Sequence, residues 1–306
     1  MLLSGCFVDV KNKSGISAIF IMIAASLWGT AGIFVRTLSG HGIGEMQLVF
    51  YRVVFAALFI ALITLVKDRN LFKIHIKDIW LFAASGIVSI VLFNYCYYTT
   101  MGLTSLSAAA VLLYTAPFFV MIMSVPVFKE RITAKKLLAL FIAFLGCCLV
   151  TGVFGSSVRL SGKAVMFGLL TGFGYSMYTV LGSVLLKKGY NSLTVTFYTF
   201  LFASVGCLPF VNIGDTVKNV TVSVNVTGLI ILMALVNTVI PYIIYTVGLN
   251  NIDPSKAPII ATVEPVVATV IGAAVYKEAL TLSGVIGIIL VLSAVVVLNY
   301  KGGTAK

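Results

Sequence analysis

The chain is written twice. Pro117, Lys129 and Glu130 recur as Pro265, Lys277 and Glu278, each 148 positions later, and Phe50-Tyr51 and Ala56 recur as Phe197-Tyr198 and Ala203, 147 positions later. Each half carries five long apolar stretches. A tandem copy of an odd number of membrane spans enters the bilayer from the opposite face. The halves are therefore expected to be inverted about a pseudo-twofold axis in the membrane plane, an arrangement that secondary transporters use to alternate access. The duplication points to transport before any single residue does.

Composition narrows the fold class. Of 306 residues, 60% are hydrophobic and 10% charged, with a mean hydropathy of +1.12, more apolar surface than a soluble domain buries. A spanning helix needs roughly 20 apolar residues. Ten such runs fall at 15–36, 45–67, 78–98, 103–127, 133–152, 163–187, 193–212, 226–248, 255–276 and 281–300. The expected fold is an all-α integral membrane protein with ten transmembrane helices in two inverted five-helix repeats. The repeats are placed at 15–152 and 163–300, with the Gly- and Ser-containing segment Gly152 to Gly162 between them. The remaining loops are too short to fold as a soluble catalytic domain. Small residues at helical spacing, Ala139 and Ala143, Gly168 and Gly172, Ser283 and Gly287, are expected at close helix contacts.

The net charge of +12 is explained by orientation and not by nucleic acid. With the amino terminus inside, the outer loops carry only Arg36, Arg159, Lys163, Lys218 and Lys277. Arg52 lies within a span, which leaves fifteen of the 21 basic residues on the cytoplasmic side. That bias puts both termini in the cytoplasm and sets basic loops against anionic lipid. The start Met1 to Cys6 ends like a lipoprotein cleavage box, but no basic region or apolar stretch precedes it. The first apolar run, Ile16 to Val35, is expected to stay as a span. Cys96, Cys147, Cys148 and Cys207 lie in apolar runs and suggest neither a metal site nor a disulfide framework. Sequons open at Asn219 and Asn225 on expected outer loops and carry little information.

Among nine carboxylates only Glu264 falls mid-span. An ionised carboxylate near the bilayer centre costs about 2.5–3.5 kcal/mol, so such a group is a functional candidate by default. It can carry a proton, receive a cationic part of a substrate, or plug the backbone that the adjacent Pro265 loosens. Arg52, two turns into the second span, can snorkel, pair with Glu45 on the same helix face, or hold a substrate carboxylate. Its position favours packing or helix pairing. Pro117 and Pro265 interrupt matching spans of the two halves, and Pro241 interrupts the eighth. Paired interruptions point to a midplane site.

Polar and aromatic residues gather around those breaks. Asn94 and Tyr98 share a face of the third span, Thr171, Tyr175 and Tyr178 one of the sixth, and Asn237, Pro241 and Tyr245 one of the eighth. Trp28 in the first span corresponds to Tyr175 in the sixth. With Tyr114 ahead of Pro117, these residues are expected to line a substrate cavity for small zwitterions or aromatic metabolites. Interhelical hydrogen bonding is the competing account for each of them singly.

The chain resembles the EamA-like branch of the drug/metabolite transporter superfamily. The likeness rests on Leu27-Trp28-Gly29, Arg52, Tyr114-Thr115-Ala116-Pro117 before Lys129-Glu130, and Val263-Glu264-Pro265 before Lys277-Glu278. It covers Ile16 to Tyr300. It implies ten spans in two inverted repeats, a central cavity, and movement of small organic solutes, very often outward. One departure stands in the sixth span, where family members often carry tryptophan and this chain has Gly174-Tyr175-Ser176.

The leading expectation is a secondary transporter of small metabolites, amino acids or related compounds. It would act in a bacterial plasma membrane, with export ahead of import and Glu264 as the proton-coupling candidate. The alternative is a flippase for a lipid or lipid-linked sugar on the same scaffold. An intramembrane enzyme is disfavoured. Histidine occurs only at His41 and His75, near span ends, and no two carboxylates lie together in the membrane. No Gly-rich phosphate loop appears, so a gradient is expected to supply the driving force. The expected partners are a small-molecule substrate, membrane lipid and protons, with no cofactor, metal or nucleic acid.

Overall fold

A computed structural model describes residues 10–155, 160–216 and 223–300. Cys6, the side chain of Lys11, Arg159, Lys218, the Asn219 sequon, Lys301 and Lys306 lie outside them. The described residues form helices α1 (Val10–Gly29), α2 (Ala31–Ser39), α3 (Glu45–Lys67), α4 (Ile79–Gly86), α5 (Phe93–Leu103), α6 (Leu106–Leu113), α7 (Ala116–Phe128) and α8 (Ala134–Val150). The second half gives α9 (Gly162–Lys187), α10 (Ser192–Cys207), α11 (Val224–Ala234), α12 (Ile240–Leu249), α13 (Ala257–Ala261), α14 (Val263–Tyr276) and α15 (Leu282–Asn299).

Nine helical segments among the described residues are long and apolar enough to cross a membrane. The expected span at 133–152 appears as α8, a helix of 17 residues, at the short end of the range of about 17–25 that spans adopt. Short polar side chains start several of these helices. Ser105, Thr133, Ser161, Asn191 and Thr281 each accept a hydrogen bond from a first-turn backbone N–H, which satisfies a donor that the helix itself cannot.

The duplication is visible in backbone detail. Wide π-helical turns interrupt the third and eighth spans at Ile87–Leu92 and Leu235–Val239. The fourth span breaks at Tyr114-Thr115 and the ninth at Thr262. Pro117 and Pro265 fall in the first turn of α7 and α14, where a missing N–H leaves no helical bond unmade. Lys129 and Lys277 both adopt left-handed backbone at the helix ends, with φ of 54° and 55°. Each is followed by a glutamate whose N–H closes back on the sixth residue before it.

The helix contacts keep the same pattern when the halves are exchanged. The second span packs on the seventh (α3 on α10), and the fifth on the tenth (α8 on α15). The first packs on the eighth and ninth (α1 on α12 and α14), as the sixth packs on the third and fourth (α9 on α5 and α7). The contact of α8 with α15 is a close one. A Cβ added at Gly287 would lie 2.7 Å from the Gly146 carbonyl oxygen, and one added at Gly146 would lie 2.9 Å from that of Gly287.

Gly287→Leu should therefore push α15 off α8. Overpacking of this kind costs about 1–3 kcal/mol, read as a lower thermal unfolding midpoint in detergent. An unchanged midpoint would show that the two helices do not meet at these glycines.

Candidate functional site

The break in the ninth span sets Glu264. Because α14 begins at Val263, Glu264 sits in its first turn, where backbone N–H groups lack helical partners and the dipole favours negative charge. The first span backs onto the break. A Cβ at Gly29 would fall 2.7 Å from the Glu264 carbonyl oxygen, so a side chain there would hold α1 away. Among the described residues no ion pair engages the Glu264 carboxylate.

Arg52 reaches from α3 to the π-turn of the eighth span. Its Nε donates to Thr238 Oγ1 at 3.0 Å and its Nη2 to the Asn237 carbonyl at 3.4 Å. Neither Glu45 nor Glu264 is within ion-pair distance. In place of a pairing with Glu45 on its own helix, Arg52 bonds another span, with guanidinium donors left over. Asn237 ties that π-turn to the break in the first span. Its amide donates to the Leu27 carbonyl at 2.6 Å and to Thr30 Oγ1 at 2.9 Å, where α1 gives way to α2.

Between these breaks lies a cavity of about 430 Å³. Arg52 and Glu264 line it together with Trp28, Asn94, Tyr98, Tyr114, Tyr175 and Pro265. Tyr97 and Tyr242, which sequence reasoning did not single out, also line it. Trp28 is the hub of the aromatic wall, with its ring 5.1 Å from that of Tyr242 and 6.4 Å from that of Tyr175. Its Nε1 is buried without a hydrogen-bond partner. Asn94 spends its amide on the Ile90 carbonyl, inside the π-turn of the third span. The cavity widens toward Arg36, Tyr276 and Glu278. Arg36 and Glu278 pair there at 2.8 Å, each about half exposed, and Arg36 stacks on Tyr276.

The EamA-like transporter family matches residues 15–152 and 162–300, nearly the whole described chain. The chain belongs to the EamA-like transporter family. An uncharacterized transporter of Archaeoglobus fulgidus is 27% identical over 281 residues, covering 90% of this chain and 94% of the relative. The uncharacterized inner membrane transporter YicL of Salmonella typhimurium is 23% identical, covering 91% and 93%. A solved crystal structure shares the fold at a TM-score of 0.77 and 12% identity, over 93% of this chain and 96% of that one. This EamA-like chain is thus an integral membrane protein and a transporter.

Four expected cavity residues, Thr171, Tyr178, Asn237 and Tyr245, lie elsewhere, Thr171 bonding the Phe167 carbonyl of its own helix. Tyr178 bonds Thr246 Oγ1 at 2.6 Å and Tyr245 bonds Thr179 Oγ1 at 2.7 Å, pinning α9 to α12. Asn237 is fully buried behind the wall. Pro117 and Pro241 shape their helices without reaching the cavity. The two tyrosines form a closed layer. Along α9 the order is Tyr175 in the cavity, Tyr178 and Thr179 in the layer, then Ser183 and Lys187 in a concavity on the opposite face. Along α12 the order is Tyr242, then Tyr245 and Thr246, then Leu249 and Asn250. Cavity and concavity share no lining residue, and the tyrosine layer lies between them.

Asn237→Leu removes both bonds to the break in the first span. Leu27 and Thr30 keep their bonds to each other, so the cost is that of the two hydrogen bonds lost, about 0.5–1.5 kcal/mol each, and the thermal midpoint of ligand-free protein should fall. A midpoint equal to that of the parent would contradict the role given to this amide.

Proposed function

We propose that this transporter moves small zwitterionic organic solutes, amino acids or their relatives, by alternating access. The observation that carries the reading is that one cavity holds both an arginine and an acidic side chain. Arg52 and Glu264 share one aromatic-walled space without neutralising each other. A substrate carboxylate suits the free guanidinium donors of Arg52. A substrate ammonium suits Glu264, and Trp28 with its tyrosines offers both apolar area and cation–π contact. The cavity volume of about 430 Å³ lies within the range of roughly 300–1,000 Å³ typical of small-molecule sites.

In this reading the ten spans form two inverted five-helix repeats, 15–152 and 163–300, that rock about the cavity. Both termini face the cytoplasm and the basic loops follow them, as the positive-inside rule requires. A bacterial plasma membrane is supported by the relatives from Salmonella and Bacillus, the former described as an inner-membrane transporter. Export is placed ahead of import. Glu264 can take a proton when the ammonium leaves, and coupling follows if protonation favours one of the two states.

Two measurements test this. In a thermal-shift screen of purified protein, zwitterionic amino acids with apolar side chains should raise the midpoint, because a ligand that binds only the folded state stabilises it. The effect reaches about 2.7 kcal/mol at a hundred times Kd. The ligand-induced rise should vanish in Arg52→Ala and be reduced, but not lost, in Glu264→Gln. A response to lipids alone would replace the reading with a flippase. In proteoliposomes Glu264→Gln should keep solute exchange and lose accumulation driven by a pH gradient, and undiminished accumulation would remove Glu264 from coupling.

A further inference from the structure

The Lys-Glu pair that ends the fourth span is repeated at the end of the ninth, and the two copies do different things. Their backbones agree. Lys129 and Lys277 share the left-handed conformation, and the N–H groups of Glu130 and Glu278 bond the Ser124 and Gly272 carbonyls at 3.3 and 3.2 Å. The side chains disagree. Glu130 is buried, with 11% of its side chain exposed, and pairs with Lys136 at 2.8 Å. Lys136, 9% exposed, reaches across to Asp253 of the other half at 3.2 Å. Ser255, also of the other half, donates to Glu130. Lys256 holds Asp253 in turn at 3.0 Å. Although burial acts to raise the pKa of Asp253, Lys256 and Lys136 hold its carboxyl below the ordinary value. This knot fastens the loop before α8 to the loop before α13, on the face where the cavity is shut.

Glu278 stands on the open face. Its side chain is 52% exposed and touches Arg36 at the cavity mouth. Among the described residues no side chain from the start of the fourth span bonds it, although Ser107 stands in the first turn of α6, 148 positions before Ser255. The position matching Lys136 is Gly284, which brings no charge. Arg36 supplies the cation instead.

We infer that Glu130 and Glu278 are the gate residues of opposite faces, occupying in this structure the closed and the open form of one duplicated device. Glu130 with Lys136, Asp253 and Ser255 closes the face of the basic loops. When that knot opens, Glu278 swings from the mouth and closes on the start of α6, where Ser107 stands. The inference rests on the transporter reading of the central cavity and adds to it which contacts hold each end state.

The test uses full-length protein carrying Ala110→Cys on the cavity wall, in right-side-out and inside-out vesicles, with a membrane-impermeant maleimide. The chain without the added cysteine is the blank for its five native ones. The readout is the ratio of labelling rates from the two faces. Glu130→Gln with Lys136→Met removes the buried pair as a unit, which avoids stranding one charge. It should move the ratio toward the Glu130 face by roughly tenfold, a modest share of what a buried ion pair can contribute to one state. Glu278→Gln alters only an exposed group, so this arm stands whatever the folding of the first. It should move the ratio the opposite way. Opposite displacements from repeat-related positions are not expected of residues that merely stabilise the fold. Labelling from both faces with an unmoved ratio, or one moved the same way by both sets, overturns the gate assignment alone. Labelling from a single face in every variant overturns the gates and alternating access together.

Discussion

Backbone that leaves the α-helical register inside a membrane finds no water to satisfy it, so it survives only where protein covers it or where it lines a cavity. This chain departs from that register at Thr30, at both π-turns, at Tyr114-Thr115 and at Thr262. Asn237 covers the first break, Arg52 the π-turn of the eighth span, and Asn94 the π-turn of the third. The break at Thr262 is met by α1, brought close by Gly29. Where the breaks converge, the cavity begins. The residues best placed to meet a solute are thus bonded to, or built from, the same irregular backbone. Whatever moves Arg52 also pulls on the π-turn, through it on Asn237, and so on the joint between α1 and α2.

The closed layer beneath the cavity has the opposite character. Tyr178, Thr179, Tyr245 and Thr246 satisfy one another across α9 and α12 in a buried, neutral network. Hydrogen bonds of this kind in membranes are individually modest, about 1 kcal/mol or less, which suits a layer that must part in each cycle. The ionic knot around Lys136 lies on the far side of that layer. A neutral seal backed by a charged clasp, with the clasp duplicated at the other face, is a physical form that rocking between two states can take.

Much of this was legible in the sequence because the duplication is written in rare residues. Prolines, Lys-Glu pairs and a single mid-span carboxylate recur or stand out at fixed offsets, and the breaks and the position of Glu264 follow from them. The π-turns left no such mark. They are a change of hydrogen-bond register without a diagnostic composition, and each places an extra residue in the turn. Tyr242 lines the cavity, whereas Asn237 is spent on the break in the first span and Tyr245, one turn further along α12, packs behind Trp28. Tyr178 went astray for another reason. It shares a face with Tyr175, but the rise along the helix carries it past the cavity floor into the layer below. Tyr97 offered no signal beyond its neighbour Tyr98.

The central claim is that one cavity, holding Arg52 and Glu264, carries a small zwitterion from face to face. Solute counterflow in proteoliposomes tests it most directly, with vesicles preloaded with an unlabelled apolar amino acid and a trace of the same compound, labelled, outside. The account predicts transient accumulation of label above its equilibrium level, without any imposed gradient, and its loss in Arg52→Ala. Counterflow that persists undiminished in Arg52→Ala, or scrambling of labelled lipid in place of solute counterflow, would contradict it.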